Sequence, residues 1–177
     1  MNALKIVLLI IAIIIAIPLI IALFIKKEYI VEREITINKP TSVVFDYVRH
    51  LKNQDYYSKW VMTDPNMKKY FRGTDGTVGF VYGWNGNDKA GEGEQEIKGI
   101  KENESLDVEV RFQRPFKNTA SIPLTVQSIS PSQTKVVWGM KGENKYPLNF
   151  MNLFVPGMLG KDLDISLSTL KTILEKS

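Results

Sequence analysis

Hydrophobic and polar positions fall into three kinds of pattern along this chain. The first is continuous: from Ile6 to Ile25 no side chain carries a charge or a hydrogen-bonding group, and Pro18 lies inside a run dominated by isoleucine and leucine. As a helix this stretch spans about 30 Å, the thickness of a bilayer core. Each large aliphatic residue favours insertion by roughly 0.3–0.6 kcal/mol, and proline is tolerated in lipid. A cleaved signal sequence has a shorter apolar run followed by small residues. Here Leu23-Phe24-Ile25 runs straight into Lys26-Lys27. The pattern predicts an uncleaved, single-pass membrane anchor over residues 1–27, with the lipid bilayer as partner. Lys26, Lys27, Arg33 and Lys39 outweigh Lys5 on the other flank, which leans the C-terminal part to the cytoplasmic side.

The second pattern has the period of a strand. Tyr29 to Ile37 is rich in β-branched residues. Val78, Phe80, Tyr82 and Trp84 alternate with Thr77, Gly79, Val81 and Gly83, and Asn85-Gly86-Asn87-Asp88 reads as a hairpin turn. Lys89 to Ile100 follows as a strand. Leu106, Val108, Val110 and Phe112 alternate with Asp107, Glu109, Arg111 and Gln113, the signature of a strand buried on one face. Two more strands are predicted around Ile122, Leu124 and Val126, and around Val136, Trp138 and Met140. Tyr70-Phe71 opens the series.

The third pattern has the period of a helix. Val44, Phe45, Val48 and Leu51 recur at helical spacing after Asn38-Lys39-Pro40, with Thr41 or Ser42 as the expected cap. A short helix is expected over Asn53 to Lys59, ending near Trp60. At the C-terminal end Leu163, Leu167, Leu170 and Leu174 form one stripe, and Pro156-Gly157 should break or kink the apolar stretch upstream of it. The resulting order is strand, two short helices, six strands, long helix. A curved antiparallel sheet with one exposed apolar face and a helix with one apolar stripe pack naturally on each other, and a pocket would form between them. Residues 28–177 are expected to make one such domain.

Composition narrows the chemistry. With no cysteine and one histidine, a thiolate nucleophile, a Cys-ligated metal and a multi-His site are all excluded. His50, near the end of the first short helix, is expected to be a surface or capping residue. A net charge of +4 without clustered Arg/Lys and interleaved aromatics gives no nucleic-acid signature. Glu92, Glu94 and Glu96 share one strand face and are expected to be solvated, which turns Gly91, Gly93, Gln95 and Ile97 inward. Space at Gly91 and Gly93 could hold part of a ligand. Arg111 and Arg114 flank Phe112 and are expected to face solvent. Pro147 to Leu159 has no charge and more large apolar residues than one buried stripe needs, so Phe150, Leu153 and Phe154 are candidates for a portal lid or membrane contact.

Three segments carry a family resemblance. They are "ITINKPTSVVFDYVRHLKNQDYYSKW" from Ile35 to Trp60, "YGWNGNDKAGEGEQEIKGIKENESLDVEV" from Tyr82 to Val110, and the ending "GKDLDISLSTLKTILEKS". Together they resemble the START-like, polyketide cyclase/dehydrase superfamily of helix-grip proteins. The resemblance implies an α+β helix-grip fold, β-α-α-β6-α, with a hydrophobic cavity between the sheet and the C-terminal helix. It implies cavity candidates at Trp60, Phe80, Tyr82, Trp84, Gly91, Gly93, Phe112, Trp138, Met140, Phe154 and Met158. The expected function is binding of a small hydrophobic ligand or lipid, with no cofactor, no metal and no catalytic residue. Two alternatives stand beside it. One is a cyclase/aromatase-like enzyme, for which Tyr82, Tyr56 and Arg114 are the available acid–base groups. The other is an interaction module whose cavity is filled by its own side chains.

Overall fold

The computed structural model describes residues 3–176; the expected outer bounds at Met1 and Ser177 lie outside them. α1 (Ala3–Phe24) is a continuous helix through Pro18, long and apolar enough to cross a membrane. Ile25-Lys26-Lys27 then leads directly into β1 (Glu28–Ile37).

α2 (Thr41–Arg49) buries Val44, Phe45 and Val48. Neither expected cap forms. Pro40 is the N-cap residue, and no side chain bonds the first amides. Thr41 Oγ1 instead lies 3.1 Å from Thr134 Oγ1 and ties the helix start to the sheet. The second helix is shorter than expected: α3 (Gln54–Tyr57) stands between single 3-10 turns at Leu51–Asn53 and Val61–Thr63.

Six strands follow: β2 (Lys68–Arg72), β3 (Val81–Asn85), β4 (Glu92–Lys101), β5 (Ser105–Arg114), β6 (Asn118–Ser130) and β7 (Gln133–Glu143). Every pairing is antiparallel, in the order β1-β7-β6-β5-β4-β3-β2. β3 starts later than its alternation suggests. Gly73, Gly76 and Gly79 all take positive φ, so the chain turns there and leaves Val78 60% exposed. After a 3-10 turn at Leu148–Leu153, α4 (Val155–Lys176) closes the concave face. Pro156 sits in its first turn, where a missing amide proton costs nothing. Leu163, Leu167, Leu170 and Leu174 are all buried.

α4 also covers the free edge of β1. Lys171 Nζ donates to Thr36 O at 2.6 Å, Glu175 Oε1 accepts from Asn38 N at 2.7 Å, and Arg33 pairs with Asp164 at 3.2 Å. On the convex face the three glutamates of β4 are ion-paired as well as solvated. Arg111 of β5 reaches Glu94 at 2.7 Å and Glu96 at 2.8 Å and also contacts Glu109, while Arg114 bonds Glu92 at 3.0 Å.

Candidate functional site

Between the sheet and α4 lies a cavity of about 330 Å³. Its sheet side is built by the inward positions of the strands: Tyr82 and Trp84 of β3, Gln95 of β4, Val110 and Phe112 of β5, Ile122 of β6, and Trp138 and Met140 of β7. Period two puts these side chains on one face. The helix side comprises Trp60 and Val61, then Met151, Val155, Met158, Leu159 and Asp162. Aromatic rings lock the walls. Trp60 and Tyr57 both meet the Trp138 ring edge-on, at 6.0 and 5.7 Å, and Trp84 meets Phe112 at 6.1 Å. The cavity is open, so an interior filled by the protein's own side chains is not what the fold adopts.

The expected cavity residues divide. Trp60, Tyr82, Trp84, Phe112, Trp138, Met140 and Met158 line the space. Phe80, Gly91, Gly93 and Phe154 do not. Phe80 is buried in the core without lining the cavity, stacked on Phe71 with Lys52 over both rings. Gly91 has φ +68°, and a Cβ there would meet Arg114 O at 2.6 Å. Gly93 is close-packed: a Cβ would lie 2.6 Å from Arg111 O and 2.8 Å from the Trp84 ring. The glycines admit the neighbouring strand and the indole, leaving no space for ligand. Phe154 is 49% exposed and packs edge-on against Phe150, away from the interior.

Polar groups inside are few. Gln95 Nε2 donates to Gln54 Oε1 at 3.0 Å, and both residues are buried and line the cavity. The bond leaves the Gln54 NH2 group as a donor and Gln95 Oε1 as an acceptor for a bound molecule. Gln95 is inward by strand alternation. Gln54 has no such signal, because a helix of four residues is too short to show a period. Trp84 Nε1 is satisfied by Ala90 O at 3.1 Å. The Tyr82 hydroxyl donates to Asp55 Oδ1 at 2.7 Å, and Asp55 in turn pairs with Lys69 at 2.9 Å. Burial, then the bond to Asp55, pushes the Tyr82 phenol far above its ordinary value. Burial also raises the Tyr29 phenol, whose oxygen lies 3.7 Å from Met140 Sδ. Both tyrosines are therefore neutral donors at physiological pH. Tyr56 and Arg114 do not line the cavity. Tyr56 is 66% exposed, and Arg114 is held by Glu92, Asn85 and Gly86. His50 is at the surface with Nδ1 2.7 Å from Asp46 O. Among the described residues no group of three or more His, Asp or Glu is placed to hold a metal ion.

No protein-family model and no curated protein sequence matches the chain. Solved structures do match in fold. Ara h 8.0201 superposes with a TM-score of 0.61 at 13% identity, over 85% of this chain and 99% of that one. Norcoclaurine synthase from Thalictrum flavum, in complex with dopamine and hydroxybenzaldehyde, superposes with a TM-score of 0.65 at 9% identity, over 84% of this chain and 87% of that one. Protein MLL2253 from Mesorhizobium loti gives 0.61 at 15% identity, over 84% and 98%. The chain thus has the START-like helix-grip fold expected from its sequence. That fold hosts unrelated functions, so function must be argued from the cavity.

Proposed function

We propose that this protein is a single-pass, membrane-anchored binding domain that takes a small hydrophobic ligand or lipid into the cavity between its sheet and α4. In this reading residues 1–27 are the anchor and residues 28–177 the binding domain. The observation that carries the reading is an apolar space of about 330 Å³ with the buried Gln54–Gln95 amide pair in its lining. Its size falls within the range of small-molecule sites, roughly 300–1,000 Å³.

Binding would be driven by burying apolar ligand surface at roughly 25 cal/mol per Å². The amide pair offers a donor group and an acceptor, which suits a carbonyl, hydroxyl or carboxyl at one end of an otherwise apolar molecule. Binding is favoured over cyclase-like catalysis because, of the nominated acid–base groups, Tyr56 and Arg114 lie outside the cavity and the Tyr82 hydroxyl is tied to Asp55. Native mass spectrometry of the full chain extracted in mild detergent tests the proposal. A co-purifying apolar molecule that dissociates on collisional activation is expected. A protein that purifies empty and binds neither fluorescent fatty acids nor phospholipids would overturn the binding reading. Release of the intact chain from membranes by carbonate would overturn the anchor.

A further inference from the structure

Resting on the membrane-anchored reading, we infer that the cavity mouth is held against the bilayer surface into which α1 inserts, with the segment Leu148–Met158 immersed at the headgroup–acyl boundary. The cavity would then exchange ligand directly with that leaflet.

The last carbonyls of a helix have no partner within it, and inside a membrane water does not supply one. Here the protein supplies it. Asn149 Nδ2 donates to Ala22 O at 2.7 Å and to Ile25 O at 2.8 Å. Asn152 Nδ2 donates to Lys26 O at 2.9 Å and to Lys27 O at 2.8 Å. Asn144 adds a backbone bond to Lys27 O at 2.9 Å and steadies Asn152 through a side-chain bond at 2.7 Å. Asn149 is 1% exposed, so this is a packed joint between the 148–153 turn and the end of α1. Wherever α1 leaves the bilayer, the turn is at the same level.

What the turn presents at that level is apolar. Leu148, Met151, Leu153, Phe154 and Met158 are 47–67% exposed, and Leu23 and Phe24 of α1 are 68% and 83% exposed beside them in sequence to the joint. No charge lies between Pro147 and Leu159, while Lys26, Lys27, Lys145 and Lys161 flank the joint and the segment in sequence. Apolar residues rimmed by lysines match a leaflet with anionic headgroups. Met151 and Met158 also line the cavity and are its most exposed lining residues. Met151 and Met158 thus belong both to the cavity lining and to the apolar surface at the anchor's exit.

The chain has no cysteine, so one introduced residue gives a unique spin label. The full chain is reconstituted in phosphatidylcholine–phosphatidylglycerol vesicles with Phe154→Cys, Leu153→Cys, Met158→Cys, Ser132→Cys or Ile14→Cys. Label depth is read from relative collision rates with oxygen and an aqueous nickel complex. Ser132 is in the β6–β7 turn; Ile37, paired to Thr134, is nine steps of β1 from the anchor end, about 30 Å. Labels at 153, 154 and 158 are expected about 5–10 Å below the phosphates. The label at 132 is expected in water and the label at 14 deep in hydrocarbon. A deep label at 14 with 153, 154 and 158 as water-exposed as 132 overturns this inference and leaves the anchor standing. A water-exposed label at 14 overturns both. Four of the positions are exposed apolar residues and Ser132 is exposed, so a label at each reaches its surroundings.

Discussion

Gly93 shows how little freedom single positions have beside the cavity. The Trp84 ring crosses β4 where a side chain would begin, and Arg111 O closes the other side. Gly93→Ala should therefore destabilise the protein by about 1–3 kcal/mol, the usual cost of overpacking. Gly157→Ala is the contrast: nothing lies within 4 Å of a Cβ there, and the residue is in the first turn of α4. It should be neutral or stabilise by up to about 1 kcal/mol. Urea unfolding of the detergent-solubilised chain reads both, and a neutral Gly93→Ala would mean that the indole is not seated as described. Arg111 makes a prediction of a different kind. Its bonds hold the Glu94 and Glu96 carboxyls below the ordinary range, with Tyr70 and Arg72 helping at Glu94 and Lys98 at Glu96. A lowered folded pKa contributes stability that is present above the unfolded value, about 4.3, and is lost as pH falls through the folded value. The wild-type urea midpoint should thus drop on acidification below about pH 4. In Arg111→Met, Glu94 and Glu96 lose that cation and keep only Arg72 and Lys98 as cationic partners, so the drop on acidification should be smaller. Parallel profiles for the two proteins would refute the clamp.

At the level of elements, what the sequence made legible follows from period. β5, β6, β7 and α4 stand where the alternation of Leu106–Phe112, Ile122–Val126 and Val136–Met140 and the leucine stripe of α4 put them, because each has one face to bury and one to leave in water. Elements settled by partners elsewhere in the chain were hidden. The helix after Pro40 begins without a side-chain cap because Thr41 is engaged by Thr134, ninety-odd residues away. The start of β3 slips to Val81 because three glycines take positive φ, which alternation cannot reveal. The cavity candidates divided for the same reason. Inward direction is local and readable, and the inward Tyr82, Trp84, Trp138 and Met140 line the cavity. Whether an inward position meets space or a neighbour is set by tertiary packing, and Phe80, Gly91 and Gly93 meet neighbours. The joint at the 148–153 turn had no sequence signal, since Asn149 and Asn152 are ordinary turn residues until they meet the carbonyls of Ala22 and Lys26. It predicts a local effect. Asn149→Ala removes two bonds worth about 1 kcal/mol each and leaves the Ala22 and Ile25 carbonyls unsatisfied. Hydrogen exchange over residues 148–158 should accelerate while β5–β7 stay protected. Unchanged exchange in that segment would mean that other contacts hold the joint.

For the whole molecule, α1, the joint and the cavity form one arrangement, and the proposed binding requires that the cavity is space rather than a loosely packed core. Val110 and Ile122 lie on adjacent strands and both line it. Enlarging them tests the claim where Gly93 cannot, because their Cβ atoms already point into the cavity and neither needs unusual backbone. If the space is empty, Val110→Phe with Ile122→Phe adds apolar atoms where no atoms stand. Each methylene so buried contributes about 0.8 kcal/mol, so the double variant should keep or raise the midpoint of urea unfolding. The same rings would occupy the volume a ligand needs, and uptake of a fluorescent fatty acid from vesicles should fall at least about tenfold, a loss of about 1.4 kcal/mol in binding. A dense core behaves oppositely: forcing two rings into it costs roughly 1–3 kcal/mol at each site. A destabilised double variant would therefore contradict the cavity itself. A stable double variant with undiminished uptake would keep the cavity and place the ligand elsewhere on the protein. Stability retained together with uptake lost is the one combination that requires an open, ligand-accessible interior.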